Sequence, residues 1–257
     1  SSQLQGRSHE ILFIQQSRLH VEIPYRNNPQ HQPLCLQTVI TIHSNLVAAM
    51  KQKQYGFYID SSRCTGCKTC QVACKDKNQL PIGVNFRRVY EYAGGSWTQA
   101  GKDIWRQDVF AYYLSVSCNH CADPACTKVC PTGAMHKRTQ DGLVVVDEQI
   151  CIGCRYCEMA CPYGAPQYNS EKKHMTKCDG CYELIEQNKK PLCVSSCPLR
   201  ALDFGPIDEL REKYGDITDI APLPQSSFTQ PSITINPNPH GKPTSEYRGT
   251  IVNKSEL

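Results

Sequence analysis

Short apolar runs alternate with polar loops along the middle of the chain, and two of these units repeat. The strings "IDSSRCTGCKTCQVAC" and "VDEQICIGCRYCEMAC", which begin at Ile59 and Val146, align without a gap. Each predicts a short strand, an acidic turn at Asp60 or Asp147, a loop and a short helix. We therefore predict an internal repeat in which each half consists of strand, loop, helix and strand.

Two further patterns predict elements outside the repeated strings. "AMHKRTQDGLVVVD" is typical of two short strands joined by a turn at Asp141 and Gly142. "PIDELREKYG", from Pro206, has the spacing of an amphipathic helix. The proline-rich tail that follows excludes a packed helix, and leaves either an unstructured end or an extended arm along a partner subunit.

The composition divides the chain into three regions. Residues 1–49 contain no lysine and one cysteine, Cys35. We interpret this region as a flexible N-terminal extension with Met50 as the natural start and Cys35 as a spare thiol; a transit-like leader is the alternative. Residues 50–206 hold the other cysteines, and residues 207–257 hold the short helix and the tail.

Charge and hydropathy exclude some classes of protein. The formal net charge of +4 on 257 residues is too small to indicate nucleic-acid binding by itself. No stretch approaches the ~18 consecutive apolar residues of a membrane span. The longest apolar run, residues 36–50, lacks the features of a secretory signal. Any membrane location is therefore expected to come from partner proteins.

Seventeen cysteines are the unusual feature of the composition. The number is odd and the spacings are those of metal ligands, which argues against a disulfide scaffold. Sixteen of these cysteines form four groups of four. The groups are Cys64, Cys67, Cys70 and Cys74; Cys118, Cys121, Cys126 and Cys130; Cys151, Cys154, Cys157 and Cys161; and Cys178, Cys181, Cys193 and Cys197.

Thiolates favour zinc or iron–sulfur clusters. Structural zinc sites usually combine two distant Cys-x-x-Cys pairs, whereas the first and third groups place three cysteines on one tight loop. The C-x2-C-x2-C-x3-C run indicates 4Fe–4S binding, with the fourth cysteine serving the other cluster of a pair. A proline follows that fourth cysteine in three groups, but Lys75 follows Cys74, so the helix there can continue. We predict four 4Fe–4S clusters.

Four clusters would change the charge of the chain. Each oxidised cluster with its thiolates carries about −2, so the loaded chain would be near −4. Four basic residues beside the cysteines are candidates for compensating this charge, with solvated surface charges as the alternative: Arg63, Lys68, Arg155 and Lys177. Three histidines near the cysteine groups, His120, His136 and His174, are not needed as ligands because sixteen cysteines match sixteen irons.

The sequence contains no nucleophile elbow, phosphate loop or dinucleotide fingerprint. We therefore predict a protein that binds redox centres, transfers electrons and carries out no substrate chemistry of its own, so no catalytic residue is assigned.

Residues 55–257 resemble the four-cluster iron–sulfur subunit of anaerobic dimethyl sulfoxide reductases. The resemblance is carried by "YGFYIDSSRCTGCKTCQVACKD", "FRRVYEYAGGSW", "YYLSVSCNHCADPACTKVCPTGAMHKR", "CIGCRYCEMACPYGAPQYN", "HMTKCDGCY" and "CPLRALDFGPIDELREKYGD". The cysteine pattern alone is common to many electron-transfer subunits of molybdopterin oxidoreductases. The residues between the cysteines are what indicate the dimethyl sulfoxide reductase family. Residues 1–49 match nothing in the family.

The resemblance implies an α+β fold of two tandem bacterial ferredoxin-like modules related by a pseudo-twofold axis, with loop insertions and an extended C-terminal tail. It also implies an exchange of fourth ligands between paired groups. The expected ligand sets are Cys64, Cys67, Cys70 and Cys197; Cys178, Cys181, Cys193 and Cys74; Cys118, Cys121, Cys126 and Cys161; and Cys151, Cys154, Cys157 and Cys130.

In this family, the subunit relays electrons from a quinol-oxidising membrane anchor to a molybdenum bis-pterin catalytic subunit that reduces dimethyl sulfoxide and related oxides. The resemblance implies a peripheral place on the bacterial inner membrane, on the periplasmic face through co-export with the catalytic subunit; the cytoplasmic face is the alternative. Two other functions stay open: the same role in a polysulfide, tetrathionate, nitrite or formate enzyme, and a zinc-binding module.

Overall fold

The computed structural model describes residues 53–246 and 248–257. The predicted extension at residues 1–49, with Cys35, and the predicted start at Met50 lie outside the described residues. Helices and strands are both short. The strands are β1 (Tyr55–Asp60), β2 (Arg88–Gly94), β3 (Trp97–Gln99), β4 (Trp105–Gln107), β5 (Phe110–Val116), β6 (Met135–Lys137), β7 (Val144–Val146), β8 (Gln167–Asn169), β9 (His174–Thr176), β10 (Leu202–Pro206), β11 (Ile233–Asn236) and β12 (Gly249–Ile251). The helices are α1 (Thr69–Lys77), α2 (Ala125–Lys128), α3 (Tyr156–Ala160), α4 (Tyr182–Glu186), α5 (Leu192–Ser195) and α6 (Ile207–Tyr214).

Two three-stranded sheets form the framework, and each has a long strand in its centre. β1 pairs antiparallel with β10 and parallel with β11, while β2 pairs antiparallel with both β5 and β12. Both faces of β1 are covered. Phe57 and Ile59 join the main core, and Tyr58 stacks on Tyr214 of α6 with the ring centroids 3.7 Å apart. This explains why the string "YGFYI" is apolar throughout rather than alternating.

The C-terminal region returns to these two sheets. β11 extends the first sheet and β12 extends the second. Ile233 and Ile235 are buried in the main core. Their alternation in "SITIN" is a strand pattern among the prolines, and proline excludes a helix there without excluding an extended strand. The predicted helix "PIDELREKYG" is α6, which buries Ile207 and Leu210.

The two repeated strings fold alike, as predicted. A residue in the left-handed region precedes each helix, Lys68 (φ 61°) before α1 and Arg155 (φ 62°) before α3. α1 continues for 9 residues through Lys75, whereas α3 has 5 residues and stops before Cys161 and its proline. The predicted hairpin is also present, with β6 antiparallel to β7.

Among the described residues, no helix combines the length and the apolar character needed to cross a membrane.

The close approach of β1 to β11 gives a test of the first sheet. A Cβ atom on Gly56 would lie 2.1 Å from the carbonyl oxygen of Ser232, so β1 and the segment that leads into β11 would have to move apart. We expect Gly56→Ala to lower the free energy of unfolding by about 2–4 kcal/mol. The measurement is the denaturant midpoint of the cluster-loaded protein under anaerobic conditions.

Gly205 provides the matched control, because it faces Gly56 in the register of β1 and β10 and a Cβ there would meet nothing within 4 Å. Gly205→Ala should change the free energy of unfolding by less than about 1 kcal/mol. Equal midpoints for the two variants would contradict the described packing.

Candidate iron–sulfur centres

The sixteen described cysteines are all free thiols, and the fold brings them together in four sets. Two sets line cavities. Set A consists of Cys64, Cys67, Cys70 and Cys197 around one cavity, and set D consists of Cys130, Cys151, Cys154 and Cys157 around another.

The other two sets are identified by the electrostatic interactions among their thiols. In set B, Cys74 interacts with Cys193 and Cys181, and Cys178 interacts with Cys74 and Cys181. In set C, Cys126 interacts with Cys118, Cys161 and Cys121. These groupings are compatible with the exchange of the fourth cysteine that the resemblance implies, and the ligand sets themselves stay a prediction. That these thiols bind iron stays a prediction.

Glycine allows the cysteine loops to turn tightly around the cavities. Gly66 and Gly153 occupy equivalent places in the repeated strings, with φ of +73° and +68°. A Cβ on Gly66 would lie 2.4 Å from the ring of Tyr113, and one on Gly153 would lie 2.8 Å from the carbonyl oxygen of Lys173. Both positions combine a left-handed backbone with a close neighbour, so a larger residue would displace the loop that carries three of the thiols.

Backbone amides donate hydrogen bonds to one sulfur in each of three sets. The N–H groups of Ala201, Met135 and Gly180 lie 3.3–3.4 Å from the sulfur atoms of Cys197, Cys130 and Cys178 respectively. The N–H of Met175 makes a further bond of 3.4 Å to Cys151 in set D. Such donors stabilise thiolates and raise the reduction potential of a cluster bound to them.

Hydroxyl groups distant in the sequence also contact the sulfurs. The Oγ atom of Ser115, on β5, lies 3.3 Å from the sulfur of Cys70, and Oγ1 of Thr229 lies 3.2 Å from that of Cys121. Neither residue was identified from the sequence. They are 45 and 108 positions away from their cysteines, and no local motif marks them.

Burial makes most of these thiols difficult to ionise without a metal. Burial raises the pKa of the thiols of Cys74, Cys121 and Cys126 to about 12. Cys67 is exposed, and hydrogen bonds from Thr69 lower the pKa of its thiol. A thiol that coordinates a metal is deprotonated by it, so grouped thiols that are largely buried suit a soft metal centre that supplies the compensating charge.

The donor set of each cavity fits a 4Fe–4S cluster, because four sulfur donors surround it and three of them come from one loop. Among the described residues, no group of three or more His, Cys, Asp or Glu side chains is placed to hold a single metal ion.

The four basic residues predicted to compensate cluster charge have different environments. Arg63 and Arg155 are exposed, and the guanidinium of Arg155 lies 4.2 Å from the ring of Tyr168. Lys68 forms an ion pair with Glu256. Lys177 alone among them is buried, and its ammonium donates to the carbonyl oxygens of Val144 and Cys178. Burial without a carboxylate partner makes Lys177 the member of this group that fits the compensating role.

The histidines lie outside the four sets, and one of them contacts a sulfur. His120 is fully buried; its Nδ1 accepts a hydrogen bond of 3.0 Å from the N–H of Val144, and its Nε2 lies 3.8 Å from the sulfur of Cys178. Burial, followed by the charge of Lys177, lowers the pKa of His120 well below its ordinary value. The neutral ring therefore carries its proton on Nε2, facing the sulfur. His136 is exposed, and His174 faces Glu148 at 3.2 Å.

Comparison with known proteins supports the nature of these centres. Residues 63–135 and residues 109–207 each match a family described as "4Fe-4S dicluster domain". The two matches confirm the prediction of 4Fe–4S binding and of tandem dicluster domains in a mixed helix and strand fold. The zinc alternative is not favoured.

Several known proteins match this chain over nearly their whole length. It is 67% identical over 204 residues to the B subunit of anaerobic dimethyl sulfoxide reductase from Escherichia coli (strain K12), covering 79% of this chain and 98% of that protein. The protein of the same description from Haemophilus influenzae is 62% identical over 205 residues, covering 80% and 100%. The B subunit of polysulfide reductase from Wolinella succinogenes is 33% identical over 193 residues, covering 74% and 97%.

The exposed cysteine of set A gives a test of iron ligation. We expect Cys67→Ser to lose or convert one cluster, so that iron falls from about sixteen per chain to between about twelve and fifteen, and to destabilise the fold. Iron and acid-labile sulfide are measured anaerobically. Cys35→Ser is the control and should leave both unchanged; full iron content in Cys67→Ser would contradict the assignment.

Proposed function

Because this protein belongs to the family of iron–sulfur B subunits of anaerobic dimethyl sulfoxide reductases, we propose that it relays electrons through four 4Fe–4S clusters held by sets A to D. The electron-transfer role follows from the family. The number of clusters, their ligands and the partners on either side are the parts that we add.

The observation that carries the proposal is the continuous order of the four sets. Cys70 of set A, Cys178 of set B and Cys118 of set C all belong to the main core cluster. Cys126 of set C and Cys157 of set D belong to the same small apolar cluster. Electron transfer slows steeply with distance, so a row of adjacent centres is the arrangement that a relay requires.

Exposure differs between the ends and the middle of this row. Cys67 of set A is exposed, and three cysteines of set D are partly exposed. All four cysteines of set B are buried, as are three of set C. Electrons therefore enter and leave through sets A and D, while sets B and C serve as internal steps.

The partners are a molybdopterin catalytic subunit on the side of sets A and B, and a quinol-oxidising membrane anchor on the side of sets C and D. Exposed Ile152, Tyr156 and Met159, on the loop and helix of set D, provide an apolar surface suited to an anchor subunit. The complex lies on the bacterial inner membrane, on the periplasmic face. The catalytic subunit, not this chain, reduces dimethyl sulfoxide and related S- and N-oxides.

In the proposed organisation, residues 50–206 form two ferredoxin-like modules related by a pseudo-twofold axis, one holding sets A and B and the other sets C and D. The similar turns before α1 and α3 support this symmetry. Residues 207–257 close the sheets around the first module, and residues 1–49 are an extension without a ligand.

The proposed exchange of the fourth ligand predicts which cysteines share a cluster, and this prediction differs from the one that sequence spacing alone would give. We expect Cys197→Ser to alter the same cluster as Cys67→Ser, and Cys74→Ser to alter a different cluster, although Cys74 follows Cys70 directly in the motif. Electron paramagnetic resonance of the reduced complex identifies the cluster that is lost or converted to a three-iron form. Identical spectra for Cys67→Ser and Cys74→Ser would contradict the exchange.

The function is tested in anaerobic membranes with the native partners, with and without this chain. Loss of the chain should abolish quinol-driven reduction of dimethyl sulfoxide, and the wild-type gene should restore it. Reduction of trimethylamine N-oxide, polysulfide, tetrathionate and nitrite is followed in parallel. If reduction of dimethyl sulfoxide survives and reduction of another acceptor is lost, the electron-transfer role would stand but would belong to a different enzyme.

A further inference from the structure

Arg87 is a buried cation that precedes β2 and lies in the main core. The residue is 1% exposed. Its Nη1 donates to the carbonyl oxygen of Ser115 at 3.1 Å and to the Oγ of Ser115 at 3.2 Å, and its Nη2 donates to the Oγ of Ser117 at 2.9 Å. The guanidinium also lies 4.6 Å from the centroid of the Phe57 ring.

None of these partners carries a negative charge. The Nε atom of Arg87 is buried and has no hydrogen-bond partner, and within residues 53–246 and 248–257 no carboxylate pairs with this guanidinium. A buried charge without an opposite charge is strongly destabilising. A source of negative charge other than a carboxylate must therefore offset it.

Thiols of both set A and set B interact electrostatically with this cation. Burial acts to lower the pKa of Arg87, but its interactions with Cys193, Cys70, Cys178 and Cys74 outweigh burial and raise that pKa. One of these cysteines belongs to set A and three belong to set B. Contacts in the core agree with a place beside set B: the guanidinium lies over the Phe57 ring, that ring lies 6.3 Å from the ring of His120, and Nε2 of His120 lies 3.8 Å from the sulfur of Cys178.

A hydrogen-bonded route connects Arg87 to a sulfur of set A. The Oγ of Ser115 accepts a bond from Nη1 of Arg87 and lies 3.3 Å from the sulfur of Cys70. Because this oxygen already accepts from a cation, its own hydrogen is available to the sulfur. The positive charge of Arg87 is thereby transmitted toward Cys70.

From this placement, we infer that Arg87 is a positioning residue whose positive charge raises the reduction potentials of the clusters in sets A and B together, and has little effect on sets C and D. The inference rests on the proposed function. Reduction of either cluster adds one negative charge to it, and a fixed nearby cation stabilises that charge. The interaction weakens with distance, so the more distant sets are affected less.

The experiment uses the complete complex in membranes and compares Arg87→Gln, Arg87→Met and Arg87→Lys. Potentiometric titrations followed by electron paramagnetic resonance give the midpoint potential of each cluster, and the Cys67→Ser complex identifies the set A signal. We expect both neutral variants to shift the reduction equilibria of sets A and B about tenfold or more toward the oxidised form, which is about 59 mV for a one-electron couple. Arg87→Lys, which keeps the positive charge, should have midpoint potentials close to those of the wild-type complex.

Arg88→Gln is the matched control, since Arg88 is the next residue and is also buried. Its guanidinium faces other groups, donating to the carbonyl oxygen of Tyr163 at 2.7 Å and lying 5.7 Å from the Tyr90 ring. Arg88→Gln should leave the potentials of sets A and B unchanged.

Several outcomes would overturn the inference: unchanged potentials in Arg87→Gln and Arg87→Met, equal shifts of all four clusters, or a shift in Arg87→Lys as large as in the neutral variants. The neutral variants could also lose the iron of sets A and B. In that case, retention of the iron by Arg87→Lys would support the requirement for a positive charge, and loss of the iron from Arg87→Lys would overturn the inference. Absence of iron–sulfur signals from the wild-type complex would instead contradict the proposed function.

Discussion

Three thiols on one loop can reach three irons of a cubane, but the fourth thiol must come from elsewhere in the chain. Set A takes Cys197 from the segment after α5, and set B takes Cys74 from the end of α1. α1 and α5 consequently pack together, and their cysteines belong to the main apolar core with Phe57 and Val194. The short helices and strands need this arrangement, because modules with so little regular structure gain much of their stability from metal binding.

Thiolates placed in the interior would add negative charge there, and nearby cations are needed to compensate it. A positive formal charge of +4 does not show by itself where the cations lie. Most basic residues beside the cysteines are exposed or paired with carboxylates, and their effect is weakened by solvent. Arg87 and Lys177 are different, because both are buried and bond only to neutral groups. The few cations in the interior therefore have more influence on the clusters than the more numerous cations at the surface.

The sequence predicted the parts of the site that are encoded locally. Cysteine spacing predicted the four groups, the turn at Asp141 and Gly142 predicted the β6–β7 hairpin, and Lys75 predicted the longer α1. The exchange of fourth cysteines came from the resemblance, since spacing does not specify which distant loops meet. Ser115, Thr229 and Arg87 were missed because each reaches its sulfur or set through the tertiary fold. The pairing of β11 with β1 and of β12 with β2 was missed for the same reason. A strand of three or four residues carries little sequence signal until its partner strand is known.

The two repeated units share the cysteine pattern but not its surroundings, so the four proposed clusters would not be electrostatically equivalent. Arg87 interacts electrostatically with thiols of sets A and B, and Lys177 contacts the backbone of Cys178 in set B while interacting with Cys126 and Cys161 of set C. Between sets C and D the packing consists of Met135, Val144 and Met175. An apolar environment without a cation disfavours the added negative charge of a reduced cluster. The buried cations therefore favour reduction of the proposed clusters in sets A and B, whereas set D depends on the backbone N–H groups of Met135 and Met175 and on partial exposure to solvent.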